Sequence, residues 1–361
     1  VLESAGHKVG LIGTIENMIG NEHLHAERTT PESMELQKLL YEMVESGCDS
    51  VVMEVSSHSL VLKRVAGLKF SGSIFTNLTQ DHLDFHKTMD DYAKAKAMLF
   101  AMSDISVINA DDDYASVMIK AAKDKICTYA IDKEADFVAK NINITASGCT
   151  YNAVSKDDNI EINIPIPGKF TIYNTLSALA LCKMMGIDDK DILNGINGMK
   201  CVAGRFQKLD TRGGKYNVIL DYCHTPDSME NTLKTVKDFA KGRVVSIFGC
   251  GGNRDKLKRP IMGEISGRLA DFSIVTSDNP RYEDPDEIID MIIPGLEKSH
   301  GKYIRIENRR DAIKYALENV QENDVIVLCG KGHEDYQEIC GVKHPFDEKV
   351  IVSDILDELG R

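Results

Sequence analysis

CDSVVMEVSSHSLVLKRVAGLKFSGSIFTNLTQDHLDFHKTMDDYAKAKAMLFAMSDISVINADD (48–112) decides the fold class. Two short apolar runs, CDSVVMEVSS (48–57) and SGSIFTNLT (71–79), read as strands. DDYAKAKAMLFAM (90–102) reads as a helix, and ISVINADD (105–112) as a further strand. Alternation of strands and helices implies a mostly parallel sheet with helices on its faces. Upstream, VLESAGHKVG (1–10) reads as the last turns of a helix stopped at Gly6, followed by a strand, VGLIGTI (9–15). Thr30, Pro31 and Glu32 predict a helix start: a threonine N-cap, proline in the first helical position and an acid in the first turn. Leu36, Leu39, Leu40, Met43 and Val44 then recur at helical spacing as far as Gly47.

Downstream, residues 136–167 alternate polar and apolar side chains between turn residues, which predicts antiparallel hairpins attached to the α/β core. A helix is expected over 171–185. A second α/β run follows, with strands in KYNVILDY (215–222), RVVSIFG (243–249), FSIVTSDNP (272–280), KYIRIEN (302–308) and NDVIVLCGKG (323–332). The boundary is expected within 200–207. The chain thus reads as two α/β domains, 1–206 and 207–361, the second Rossmann-like.

Composition narrows the function. The 361 residues carry 43 Lys and Arg against 56 Asp and Glu, a net charge of −13, which argues against non-specific nucleic-acid binding. No apolar run approaches the roughly 20 residues that a membrane helix needs. The nine cysteines form no Cys-x-x-Cys pair, which argues against a disulfide framework or a structural zinc site.

Ligands of open α/β sheets bind beyond the carboxyl ends of the strands. One such end carries Glu54, Ser56, Ser57 and His58; the next carries Asn77, Thr79, Asp81, His82, Asp84 and His86. A carboxylate and an imidazole at adjacent strand ends suit a hard divalent cation, or else form an ordinary polar loop cluster. Lys94 and Lys96, on the following helix, are compatible with a solvated face. GCGGNRDKLKRP (249–260) fails the dinucleotide fingerprint, because Arg254 stands where G-x-G-x-x-G needs its last glycine. Arg254, Asp278, Arg281 and Glu334 lie at three further strand ends, a mixed-charge set suited to a zwitterion.

In order and spacing, TTPE (29–32), MEVSSHSL (53–60), TNLTQDHLDFH (76–86), AKAKAMLF (93–100), GKFTIYN (168–174), GRF (204–206), LDYCHTPDSM (220–229), GCGGNRDKLKRP (249–260), DNPR (278–281) and GKGHEDYQ (330–337) resemble the Mur ligase family, in particular its diaminopimelate-adding branch. The resemblance covers essentially the whole chain. It implies a central ATP-binding domain followed by a C-terminal domain for the incoming amino acid. It also implies ATP and Mg2+ as cofactors, UDP-MurNAc-L-Ala-D-Glu and meso-diaminopimelate as substrates, a monomer, and a place in the bacterial cytoplasm. The implied chemistry is amide formation through an acyl phosphate.

Matched motif by motif, Glu54 and His82 resemble magnesium ligands, and Lys96 the lysine that the family carbamylates. Thr29, Thr30, Ser56 and Arg64 match contacts to the UDP-muramoyl dipeptide; Asn174, Arg205, Asp221 and His224 match contacts to ATP. Arg254, Asp278, Asn279, Pro280, Arg281, Gly330 and Glu334 match the diaminopimelate pocket. The arginine of DNPR can fork onto the second carboxylate that distinguishes diaminopimelate from lysine. The family's G-T-x-G-K-T-T phosphate loop and its uridine-binding domain are not in these 361 residues. The expectation is therefore a chain that starts just after that loop and, by itself, binds ATP poorly and turns over little. A folylpolyglutamate synthetase-like ligase and a non-catalytic amino-acid- or muropeptide-binding fragment are the competing readings.

Overall fold

The computed structural model describes all residues except 124, 146, 200 and 201. The first two residues of the expected boundary therefore lie outside the described residues. The chain divides into two compact units: 1–143, 149–165 and 170–199 form one, and 144–148, 166–169 and 200–361 the other.

In the first unit, Val9–Ile12 pairs parallel with Ser50–Met53. A hairpin that the sequence reading did not anticipate, Glu16–Ile19 with Glu22–His25, continues that sheet antiparallel on the other side of Val9–Ile12. Residues 1–6 form turns in place of the expected helix end. The first helix is Ser33–Glu45, with Glu32 as its N-cap. Thr30 is not the cap because its hydroxyl is used elsewhere: it donates to the Glu54 carbonyl at 2.8 Å and accepts from the Ser56 amide at 3.0 Å. Leu36, Leu39 and Met43 pack beneath this sheet with Ile12 and Leu60.

A second sheet runs Phe70–Phe75, Ser103–Asn109, Lys125–Ala130, Phe137–Thr145, Gly148–Val154, Asn159–Ile164. Its first four strands pair parallel. Its last two pair antiparallel, as the alternation over 136–167 predicts. The helix Lys169–Met184 follows.

The second unit has one six-stranded sheet, ordered Gln207–Leu209, Asn217–Asp221, Val325–Cys329, Val244–Phe248, Phe272–Val275, Tyr303–Arg305. All neighbours are parallel except the first pair. Val244–Phe248 and Val325–Cys329 are buried at every position, hence their unbroken apolar sequences. A separate hairpin joins Tyr336–Ile339 to Val342–Pro345. The chain leaves Asn217–Asp221 and crosses over Val325–Cys329 to reach Val244–Phe248. The carboxyl ends of these strands are therefore where a crevice forms.

Arg259 has no solvent exposure and forks onto Glu283, with two contacts of 3.0 Å. Glu283 also accepts from the Asn253 amide and pairs with Lys256 at 3.1 Å. It thereby ties the Gly-rich loop to the turn after Phe272–Val275. Arg259 above all holds the Glu283 carboxyl down, to about 2. A carboxyl lowered on folding stabilises the fold above its ordinary value of about 4.5, and that stability fades as pH falls towards 2. Glu283→Gln should cost roughly 3 kcal/mol at pH 7. Urea midpoints at pH 7 and pH 3 check this: the gap between variant and parent should shrink at pH 3, and a pH-independent gap refutes the argument.

Candidate functional site

The site residues of the first unit fall into two sets. In the first, Thr30 stitches the loop after Ser50–Met53 as described, and Arg64 donates to the Thr30 carbonyl at 3.2 Å while pairing with Glu32 at 2.8 Å. Ser56 caps the short helix Ser57–Val61 by accepting from the Ser59 amide at 3.1 Å. Thr29 lies 3.0 Å from the Thr14 hydroxyl, which donates in turn to the Glu54 carboxylate. Thr14 was not singled out from the sequence; nothing distinguishes it there from other turn threonines.

The second set surrounds Tyr92, which the sequence did not single out. His86 stacks on the Tyr92 ring at 4.7 Å and hydrogen-bonds Ser57 at 2.8 Å. The His82 ring lies 6.0 Å from Tyr92, and the Lys96 ammonium 5.4 Å from it. His82 takes a left-handed backbone, φ 55°, with its amide donating to Asp81. The two lysines differ in their surroundings. Lys94 is exposed and pairs with Asp91. Lys96 is half-buried, and burial lowers its ammonium below the ordinary lysine value against the opposing pull of Asp112 and Asp81. Asn174 lies exposed on Lys169–Met184.

The ATP-matched residues of the second unit gather around Tyr222. The Arg205 guanidinium lies 4.8 Å from the Tyr222 ring, with His224 at 4.6 Å and His333 at 5.1 Å. Asp221 is buried; it accepts from the Phe206 amide at 2.6 Å and from the Thr232 hydroxyl at 3.3 Å, and burial raises its carboxyl. Its place is thus to fasten the Gly-Arg-Phe turn to the strand end. Gly204, at φ 68°, is needed there: a Cβ would stand 2.1 Å from the His333 amide nitrogen.

The last set is the most ordered. Asn279 donates to Glu334 at 2.8 Å and accepts from Lys331 at 3.0 Å and from the Glu338 amide at 2.9 Å. Lys331 is fully buried. Burial would raise Asp278, but Lys331 first and Arg309 next outweigh it and keep its carboxyl below the usual range. Burial raises Glu334, with Lys331 opposing. Gly330, at φ 116°, leaves room for Asp278, whose Oδ2 would lie 2.7 Å from a Cβ. Pro280 is buried and its carbonyl accepts from the Glu283 amide. Arg281 spends Nε on Glu338 at 3.2 Å and Nη1 on the Gly252 carbonyl at 2.9 Å, and Nη2 has no protein partner among the described residues. Arg254 is exposed, and among the described residues it donates only to the Asn253 carbonyl, at 3.4 Å. Lys331 lies inside a quoted motif yet was not assigned a role, and Arg309 was missed: beside Arg310 it reads as a surface residue.

Two family models match: the Mur ligase middle domain over residues 1–182, and the Mur ligase, glutamate ligase domain over 204–332. A Clostridium botulinum protein named UDP-N-acetylmuramoyl-L-alanyl-D-glutamate–2,6-diaminopimelate ligase is 48% identical over 99% of the chain and 74% of its own length. A Caldanaerobacter subterraneus protein of the same name is also 48% identical, over the same shares. A solved structure of a ligase of that name is 34% identical, with a TM-score of 0.68, over all of this chain and 74% of its own.

Thr30 is 1% exposed, so its hydroxyl cannot be replaced by water. Thr30→Val keeps the shape and leaves the Ser56 amide and Glu54 carbonyl without that partner. It should cost about 2 kcal/mol, and Thr30→Ser less than half as much. Chemical denaturation of the three proteins checks this; equal losses would show that volume, not the hydroxyl, matters.

Proposed function

The chain belongs to the Mur ligase family, and from that premise we propose that it adds meso-diaminopimelate to UDP-MurNAc-L-Ala-D-Glu in the bacterial cytoplasm. It is an ATP-dependent ligase of peptidoglycan synthesis. We place the domain boundary at residues 206 and 207, between a central ATP-binding part and a part that binds the incoming amino acid and also supplies Asp221 and His224 to the nucleotide. No described helix is long and apolar enough to cross a membrane, and a monomer working on soluble precursors is the state we propose.

The observation that carries the diaminopimelate reading is the Asp278–Asn279–Lys331–Glu334 network with Arg281 at its side. Its carboxylates suit ammonium groups, and the free Nη2 of Arg281 suits a carboxylate. Diaminopimelate offers both at each end. Lysine would leave the arginine without its second carboxylate.

In the proposed reaction the D-glutamate side-chain carboxylate attacks the γ-phosphorus of ATP, giving an acyl phosphate and ADP. The diaminopimelate amine adds to the acyl carbon, and the tetrahedral intermediate expels phosphate while the amine loses its proton. Thr29, Thr30, Ser56 and Arg64 would hold the muramoyl dipeptide; Asn174, Arg205, Asp221 and His224 would orient the nucleotide. Arg254 and Arg281 would hold carboxylate, and Asp278, Asn279, Pro280, Gly330 and Glu334 would frame the amine.

For Mg2+, Glu54 offers a carboxylate and His82 an imidazole. Among the described residues no group of three or more His, Cys, Asp or Glu could hold a metal. That fits an ion shared with nucleotide phosphates, as is usual for magnesium. Glu54, His82 and a carbamate on Lys96 would hold it, and it would neutralise charge on the transferring phosphoryl group. The lowered Lys96 ammonium favours free amine, the form that adds to CO2 with loss of a proton.

Phosphate release with ATP, magnesium and UDP-muramoyl dipeptide tests the reading, with diaminopimelate or lysine added in parallel. Release should follow added diaminopimelate and not lysine. No response to diaminopimelate would favour the binding-fragment reading. Arg281→Ala should cost about 10- to 100-fold in kcat/KM for diaminopimelate and far less for any residual lysine activity. In 13C-bicarbonate, a carbamate resonance should survive Lys94→Arg and vanish in Lys96→Arg; loss in both, or in neither, overturns the assignment.

A further inference from the structure

Arg309 opens the helix Arg309–Glu318, directly after the strand Tyr303–Arg305, and has no solvent exposure. Its Nε donates to Glu348 at 2.8 Å, and its Nη2 to the Cys329 carbonyl at 2.8 Å, just before Gly330. Its Nη1 lies 3.9 Å from Asp278 Oδ2, and among the described residues neither of those buried atoms has a hydrogen-bond partner. The helix Glu348–Glu358 begins with Glu348, which is itself 1% exposed. One guanidinium therefore joins three places: the C-terminal helix, the strand end that leads into Gly330, and the carboxylate of DNPR.

We propose that Arg309 is a positioning residue for the incoming amino acid, acting through Asp278. Glu348 and the Cys329 carbonyl fix two edges of the guanidinium, so the third can point only towards Asp278. A contraction of about 1 Å would turn the 3.9 Å separation into a charge-assisted hydrogen bond. An ammonium group arriving at Asp278 supplies the occasion: it draws the carboxylate to a single orientation, and Arg309 holds it from behind. Hydrogen bonds of this kind are often long in the empty site and tighten on binding. Arg309 itself touches no substrate. The nearby Lys331 spends its hydrogen bonds on Asn279 and Glu334 and acts on Asp278 through charge, without a hydrogen bond to it among the described residues.

The inference rests on the diaminopimelate reading, and the test separates the two. In the enzyme, Arg309→Met should raise KM for diaminopimelate at least tenfold while KM for ATP stays within twofold. Arg309→Lys, which keeps the charge and loses the fork, should fall between it and the parent. In an Asp278→Asn background, Arg309→Met should add less than twofold, because the carboxylate through which it acts is gone. Equal rises in both KM values, or a full additional effect in the Asp278→Asn background, would show a merely structural residue and overturn the proposal. If Arg309→Met fails to fold, Arg309→Lys decides by the same ratio, and a diaminopimelate KM within twofold of the parent overturns it. A parent protein that ignores diaminopimelate altogether would overturn the reading of function instead.

Discussion

A charge taken out of water has to be answered by another, and the carboxyl edge of the second unit's sheet is laid out by that requirement. Arg259, Arg309 and Lys331 are all fully buried. Each is answered by acids: Glu283 for Arg259, Glu348 and Asp278 for Arg309, and Glu334, three residues further on, for Lys331. The two arginine sets join segments that follow different strands, so those strand ends are locked by charge as well as by backbone ladder. They also dictate local conformation. Gly330 must leave Asp278 its space, and DNPR must turn with Arg281 in the left-handed region at φ 52°. A rigid lower layer of paired charge then leaves the upper layer, Arg254 and the outer nitrogen of Arg281, available to meet a ligand.

The first unit closes its strand ends with single side chains on backbone groups, in place of missing backbone partners: Thr30 between Glu54 and Ser56, Asn109 on the Thr76 carbonyl, Asp112 on the Leu78 amide. The helix Met89–Ala101 buries Tyr92, Ala93, Ala95, Ala97 and Phe100 against this framework. A lysine among those alanines is held close to an aromatic ring and out of bulk water. Lys96 differs from Lys94 for that reason alone.

The alternation of strands and helices was legible because buried parallel strands must be apolar at nearly every position. Val244–Phe248 and Val325–Cys329 could hardly be read otherwise. The antiparallel segment over 136–167 was legible through its period of two. The hairpin Glu16–Ile19 with Glu22–His25 was not, because ENMI and EHLH mix charges with apolar residues in strands of four residues, too short to show a period. The misplaced cap at Thr30 has a similar cause. Threonine before proline is a sound helix start, but a hydroxyl goes to whichever buried backbone groups most need it, and those lay 24 and 26 residues away in sequence. Among the site residues, the motifs located strand ends well and said little about the second layer. Lys331 and Arg309 are tied to Asn279 and to Asp278 and Glu348, far off in sequence, and no local pattern records that.

Arginine shows most plainly why residue type alone could not settle these roles. Arg309 and Arg310 are adjacent, with the same chemistry and the same helix. Arg310 sits at the surface and pairs with Glu358, as does Lys314, an arrangement of small energetic weight. Arg309 points inward, where removing one partner would leave a charge unanswered. Arg254 and Arg259 repeat the contrast five residues apart: one exposed, the other forked onto Glu283. In each case the buried member fixes a carboxylate or a loop. Only an exposed arginine can exchange water for a ligand at little cost. A buried one is already committed, and its influence on binding has to pass through the acid it holds.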